Sequence, residues 1–203
     1  MRQLIAHARS FETRCAERGA DLGALEAGQS PEALFITCSD SRIAPTLITG
    51  ADPGDLFELR TAGNIVPAYR PAHPAGEVAT IEYALRVLGV RHVVVCGHSH
   101  CGAVGAMVRG DDLSAVPAVR SWLDSALPEQ LRRSWTEADG EAAPDLAAPV
   151  QQHVRAQLER LRAYPCVREG VAAGRLSLHG WFYEVHTGAV LSHRPETGTF
   201  QPL

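Results

Sequence analysis

The clearest strand signal in this chain is His92-Val93-Val94-Val95-Cys96-Gly97, which leads directly into His98-Ser99-His100-Cys101. A short run of β-branched apolar residues that ends at glycine is typical of a fully buried strand in a parallel sheet. A helix is predicted immediately afterwards, over Gly102–Val108. His98 and Cys101 are therefore expected at the carboxyl end of a central strand, where open α/β sheets place their functional sites.

A second apolar run has the same design. Residues 33–38, Ala-Leu-Phe-Ile-Thr-Cys, follow Pro31 and lead into Cys38-Ser39-Asp40-Ser41-Arg42. The carboxyl ends of two parallel strands on one side of a sheet lie roughly 5–10 Å apart when the strands are neighbours or nearly so. Both strands end in potential metal ligands, so we expect those ligands to converge.

The remaining periodicity predicts an α/β fold: a mainly parallel central sheet flanked by helices, with an antiparallel edge strand and an N-terminal helical arm. We expect one domain over residues 1–203, with the arm at 1–28 and the catalytic core at 29–203. Further strands are predicted at Leu56–Arg60, Leu176–Val185 and Ala189–His193. Helices are predicted at residues 2–18, from Val78 to a stop at Gly89, at 115–135 and at 150–163, with a loop from Ala138 to Pro149.

Composition excludes several classes of protein. The chain has no lysine, and Schiff-base enzymes, pyridoxal phosphate enzymes and P-loop NTPases each need one. The net charge of −4 argues against nucleic acid as a partner, and no apolar run reaches the roughly 20 residues that cross a membrane. The five cysteines show no dense pattern, which favours reduced thiols and a cytoplasmic location.

Two thiols, an imidazole and a carboxylate are ligands that Zn²⁺ accepts. Cys38 and Cys101 taken singly would more often be buried core thiols, and His100 competes with His98 as a ligand; we favour His98. Asp40 has Arg42 two residues away, so it could bind the metal, close a structural site, or pair with the guanidinium and leave a position open for water. Six other histidines are expected at the surface: His7, His73, His92, His153, His186 and His193.

Four motifs in this chain, in order and spacing, resemble the β-class carbonic anhydrases. They are CSDSR at 38–42, RTAGN at 60–64, GHSHCG at 97–102 and HGWFY at 179–183. The resemblance implies one Zn²⁺ per chain, bound by Cys38, His98 and Cys101, with Asp40 either on the metal or paired with Arg42. It also implies reversible hydration of CO₂ to bicarbonate and a proton by zinc-bound hydroxide.

The same resemblance suggests the substrate pocket and the assembly. The plant-type branch of the family lines its CO₂ pocket with Gln, Phe, Val and Tyr, and the matching positions here are Gln29, Phe57, Ala62 and Tyr83. The backbone N–H of Gly102 matches the donor to bicarbonate. The branch with an allosteric bicarbonate site carries Trp three residues before the first cysteine, whereas this chain has Phe35, which favours the plant-type branch. Family members form dimers, often paired into tetramers, in which the residues matching Gln29, Phe57 and Tyr83 reach the neighbour's site.

Two alternatives stay open from the sequence. A hydrolase of CS₂ or COS with the same fold would use the same site. A non-catalytic zinc module would use a closed Cys-Asp-His-Cys site. No residue in the sequence identifies itself as the proton shuttle.

Overall fold

The fold of this computed structural model is described for residues 1–203 except Ala20, Pro74, 128–134 and 136–145. A six-stranded sheet forms its centre, with the strand order β2-β1-β3-β4-β5-β6. The first four strands of that order are parallel, and β5 and β6 are antiparallel to their neighbours. The strands are β1 Ala33–Cys38, β2 Leu56–Thr61, β3 His92–His98, β4 Ser177–Tyr183, β5 Val190–Arg194 and β6 Thr199–Pro202. The predicted fold class is confirmed.

Eight α-helices with described bounds connect or flank these strands. They are α1 Arg2–Arg9, α2 Phe11–Glu17, α3 Pro45–Thr49, α4 Gly76–Glu82, α5 Gly102–Arg109, α6 Pro117–Asp124, α7 Ala147–Arg162 and α8 Pro165–Ala172. A π-helical turn, Tyr83–Val87, extends α4 to Gly89, where φ is +68° and the helix stops as predicted. None of the helices in the described part of the chain has the length and apolar character that crossing a bilayer requires.

Three expectations need correction, and one strand was not predicted. The N-terminal helix is interrupted at Ser10, whose hydroxyl donates to the carbonyls of Ala6 and His7 and so competes with helix continuation. The last strand, β6, was not predicted. The predicted loop 138–149 lies mostly outside the described residues, and its last three residues belong to α7. The predicted helix 115–135 is also too long: α6 covers Pro117–Asp124, residues 125–127 are not helical, and residues 128–134 lie outside the described residues.

Helix α7 approaches the sheet closely because the strands beneath it carry glycine. A Cβ atom built on Gly97 would lie 2.7 Å from side-chain atoms of both Val150 and Val154. Apolar side chains of α4, α7 and α8 pack on Leu34, Ile36 and other residues of the inner strands to form the larger core. This close packing also brings the polar side chains of α7 under the loop that follows β2.

Candidate metal centre

Three predicted ligands meet at one end of the sheet. Cys38 is the last residue of β1, His98 is the last residue of β3, and Cys101 directly precedes α5. One ligand atom from each lies within 4.8 Å of the other two, and all three residues are buried. The convergence follows from topology, because β1 and β3 are adjacent parallel strands.

The imidazole of His98 is oriented by its own neighbour. Its Nδ1 lies 2.9 Å from the carbonyl oxygen of Ser99, which can only accept, so Nδ1 carries the proton. Its Nε2 is buried without a hydrogen-bond partner among the described residues. An imidazole with an unpartnered ring nitrogen, beside two thiols, is a donor set that fits a zinc ion.

The two thiols influence each other strongly. The hydrogen bond from Cys101 lowers the pKa of Cys38, and the ring of His98 and the backbone N–H of Gly63 lower it further. The same pairing, followed by burial, raises the pKa of Cys101. The charge of one sulfur therefore opposes ionisation of the other. A divalent cation bound between them would favour both sulfurs as thiolates.

Asp40 faces Arg42 with both carboxylate oxygens. Its Oδ1 accepts from the backbone N–H and the Nε–H of Arg42, both at 2.9 Å, and its Oδ2 accepts from Nη2 at 2.7 Å. These bonds hold the pKa of Asp40 well below its usual range, so the carboxylate stays charged. Oδ2 also lies 3.9 Å from His98 Nε2, which places the paired carboxylate beside the ligand group. Of the two arrangements that the sequence left open, the structure shows Asp40 paired with arginine.

Arg60 holds the loop that carries these groups. Its guanidinium donates to the carbonyls of Cys38, Asp40 and Ile43 at 2.8–3.2 Å. Arg60 belongs to the motif RTAGN at 60–64, but no role was predicted for it from the sequence. A role could have been inferred from its position, because Arg60 is the last residue but one of β2 and lies across from Thr37 on β1.

The predicted pocket residues fall into two groups. Ala62 and Gly102 lie at this end of the sheet, in the turn after β2 and at the start of α5. Phe57 and Tyr83 stack on each other elsewhere, with ring centroids 6.0 Å apart, and Gln29 and Tyr83 line a shallow surface cavity of about 480 Å³. Phe57 on β2 lies opposite Leu34 on β1. Cys38 comes four residues later on β1, which is roughly 13 Å along the strand. The second group therefore lies away from this chain's own ligands.

The structure decides the positions of His153, which was expected at the surface, and of His100, which was an alternative ligand to His98. His153, expected at the surface, is fully buried on α7, and its Nε2 lies 2.8 Å from the carbonyl oxygen of Gly63. His100 is exposed in a left-handed conformation, and its ring contacts that of His186. The structure thus brings His98, and not His100, to the two thiols.

Fold and site together define an α/β protein in which two thiols and an imidazole, a set that could hold a metal ion, converge at the carboxyl ends of the parallel strands. A family model described as carbonic anhydrase matches residues 33–190. A carbonic anhydrase of Pseudomonas aeruginosa is 50% identical over 162 residues, which cover 80% of this chain and 73% of that protein. One from Synechococcus elongatus is 44% identical over 194 residues, covering 94% and 71%.

Solved structures agree with the sequence comparisons. The β-carbonic anhydrase CcaA superposes with a TM-score of 0.90 at 37% identity and covers 100% of this chain and 99% of its own. A β-carbonic anhydrase of Sordaria macrospora, described as tetrameric, gives a TM-score of 0.80 at 30% identity and 94% coverage of each chain. The chain belongs to the β-class carbonic anhydrase family, and is an enzyme of that family.

Proposed function

We propose that this enzyme catalyses the zinc-dependent, reversible hydration of CO₂ to bicarbonate and a proton. One observation carries the proposal: in a chain of this family, two buried thiols and a free imidazole nitrogen converge beside a carboxylate that arginine holds in place. Cys38, His98 and Cys101 would hold one Zn²⁺ per chain. Zinc bound there supplies a Lewis acid that lowers the pKa of water, which makes a nucleophile available near neutral pH.

Asp40 and Arg42 prepare the reacting water. Because Arg42 donates to both oxygens of Asp40, the guanidinium holds the carboxylate and would leave room for a water beside the metal. The carboxylate also stays charged, so Oδ2 would accept a hydrogen bond from that water and orient it. The backbone carbonyl of His100 accepts from Arg42 Nη2 at 3.1 Å and holds the guanidinium in this position.

Gly102, the residue after Cys101, supplies a backbone N–H donor beside the proposed ligands. It is the exposed first residue of α5, where backbone N–H groups have no partner within the helix and the helix dipole favours an anion. We assign its N–H to the developing bicarbonate oxygens. Ala62 contributes a small apolar wall for the uncharged substrate.

The rest of the pocket comes from a second copy of the chain. Phe57, Tyr83 and Gln29 lie near the surface away from their own ligands, and Tyr83 is 45% exposed. A dimer in which each chain inserts these side chains beside the other's metal centre would complete two pockets. The arm supports this assembly, because α1 buries none of its residues while Leu4 and Ile5 are exposed. The tetrameric Sordaria relative shows that self-association occurs in the family.

Three finer assignments accompany this proposal. Residues 1–28 form the arm and 29–203 the catalytic core of one domain. Phe35, buried against Trp181 at a centroid distance of 5.8 Å, supports the plant-type branch without an allosteric bicarbonate site. The five free thiols support a cytoplasmic location.

The test compares zinc content and stopped-flow CO₂ hydration in the purified protein and in Cys38→Ala. Cys38→Ala should lose both metal and activity, because two protein ligands are too few. Cys96→Ala is the matched control: Cys96 is an equally buried thiol on β3, and its loss should leave the zinc content unchanged. Full zinc and full turnover in Cys38→Ala would overturn the proposal. Faster turnover of CS₂ or COS than of CO₂ would assign the same site to the sulfur compounds.

A further inference from the structure

The turn after β2 places a backbone donor on one of the two thiols. The N–H of Gly63 lies 3.3 Å from Cys38 Sγ, within the range for a hydrogen bond to sulfur, and both residues are buried. A hydrogen bond to a thiolate withdraws charge from the sulfur and reduces what the sulfur gives to a bound metal. The groups that fix this N–H therefore act on the metal centre without touching it.

The first such group is Trp122 on α6. Its indole N–H donates to the carbonyl oxygen of Ala62 at 2.9 Å. That carbonyl and the N–H of Gly63 belong to the same planar peptide group. The indole and the sulfur are therefore joined through one peptide, as N–H···O=C–N–H···S. A donor to the carbonyl polarises the peptide and strengthens the bond that its N–H makes.

The second group is His153 on α7, which holds the other side of Gly63. Its Nε2 lies 2.8 Å from the carbonyl oxygen of Gly63, and since that oxygen can only accept, Nε2 carries the proton. Complete burial lowers the pKa of His153 to about 4, so the ring is neutral at pH 7. Its Nδ1 has no partner within the described part of the chain, so the bond to Gly63 is what orients the ring there.

Gly63 has a backbone conformation that other residues rarely adopt, and the space around it is tight. Its φ of +74° is in the left-handed region, and a Cβ atom at this position would lie 2.9 Å from Cβ of Ala103 at the start of α5. Two side chains from two different helices thus bind the carbonyls on either side of one residue, whose N–H points at a proposed ligand.

We propose that Trp122 and His153 are positioning residues of the metal centre: by holding the carbonyls of Ala62 and Gly63, they aim the Gly63 N–H at Cys38 and limit the charge that this sulfur gives to the metal. This inference rests on the proposed role of Cys38 as a ligand. It assigns a function to a histidine that was expected at the surface and to a tryptophan outside the four family motifs.

The experiment uses the full chain loaded with Co²⁺, whose thiolate-to-metal charge-transfer absorption reports the charge on sulfur directly. Trp122→Phe removes the indole N–H and keeps an aromatic ring. His153→Leu removes the second donor, and His153→Gln restores an N–H at similar reach. Trp135→Phe is the matched control, because it removes an indole bond of 2.6 Å to Gln152 that does not involve the turn.

We expect the charge-transfer band to move to lower energy in Trp122→Phe and His153→Leu, and to keep its wild-type position in His153→Gln and Trp135→Phe. With zinc bound, the pH midpoint of CO₂ hydration should rise by about 0.2–0.5 unit in Trp122→Phe and His153→Leu. This is the size expected when the hydrogen bond from Gly63 to the Cys38 sulfur loses the strengthening that neighbouring hydrogen bonds give it. Identical bands in all four variants would overturn the inference, as would an equal shift in Trp135→Phe. Wild-type protein that binds Co²⁺ without any thiolate band would instead overturn the assignment of Cys38.

Discussion

Replacing Gly63 with alanine tests the local geometry of the metal centre most directly. Alanine at φ +74° costs about 1–2 kcal/mol, because the left-handed region brings Cβ against the backbone. The new Cβ would also lie 2.9 Å from Cβ of Ala103, whereas carbon atoms in contact prefer about 3.5–4.0 Å, so the turn or α5 must move by at least about 0.6 Å. Such overpacking adds about 1–3 kcal/mol. The total loss in free energy of unfolding should be about 2–5 kcal/mol.

The displacement acts between two ligands. Ala103 is two residues from Cys101, and Gly63 donates to Cys38, so separating the two Cβ atoms disturbs both sulfurs. We expect metal affinity to fall by about 10–100-fold, as is usual when groups that support the ligands are lost. Urea unfolding and competition with a chelator measure the two effects.

Two controls separate the contributions. Gly174→Ala has a similar φ of +66° with no atom within 4 Å of the new Cβ, so it should lose only the conformational part. Adding Ala103→Gly to Gly63→Ala removes the close contact and should recover about 1–3 kcal/mol, less the roughly 0.5–1 kcal/mol that glycine costs in helix α5, while the conformational cost at position 63 remains. If Gly63→Ala destabilises the protein no more than Gly174→Ala and keeps wild-type metal affinity, the reasoning from this contact is refuted.

Other predictions concern the Asp40–Arg42 pair and pH. Arg42→Ala should retain zinc while hydration falls by orders of magnitude, because Asp40 becomes free to occupy the metal; metal analysis beside stopped-flow assays would contradict this if zinc and activity disappear together. The kcat/KM for hydration should rise with pH as one titration with a midpoint above about 7, because two thiolates donate more charge to zinc than the imidazoles of a three-histidine site. Bicarbonate should inhibit only as a product. A steeper, cooperative pH profile would contradict this prediction. His153 is neutral when folded and its pKa falls from 6.5 to about 4, so the unfolded chain binds the extra proton and stability should decline by about 3 kcal/mol as pH drops from about 6.5 to 4. Urea unfolding of His153→Gln should show a smaller decline over that range, and equal declines in the two proteins would contradict the assignment.

The inner strands could be predicted from the sequence because each is a short apolar run bounded by turn residues. The predictions for β1, β2 and β3 agree with the observed bounds to within one residue. The last strand, β6, could not be predicted in this way. It has four residues, ends at Pro202 and forms only through pairing with β5, so its stability comes from its neighbour and not from its own pattern.

The burial of His153 could not be predicted because helical periodicity locates an apolar stripe but not its full width. Val150 and Val154 marked the face of α7 that contacts the sheet, and His153 lies beside that stripe. It is buried because the turn at Gly63 covers it and offers a carbonyl, and that turn is 90 residues away in the chain.

Local residue types were enough to predict which side chains could bind a metal and that Cys38 and His98 lie at the carboxyl ends of buried strands. The tertiary structure was needed to show that these strands are adjacent, that Nε2 of His98 is the unpartnered nitrogen, that Asp40 pairs with Arg42, and that Gly63 donates to Cys38. Each of the last three features depends on a hydrogen bond with a direction, and its direction is set by the packing of helices and loops around the ends of the strands, which residue spacing along the chain does not encode.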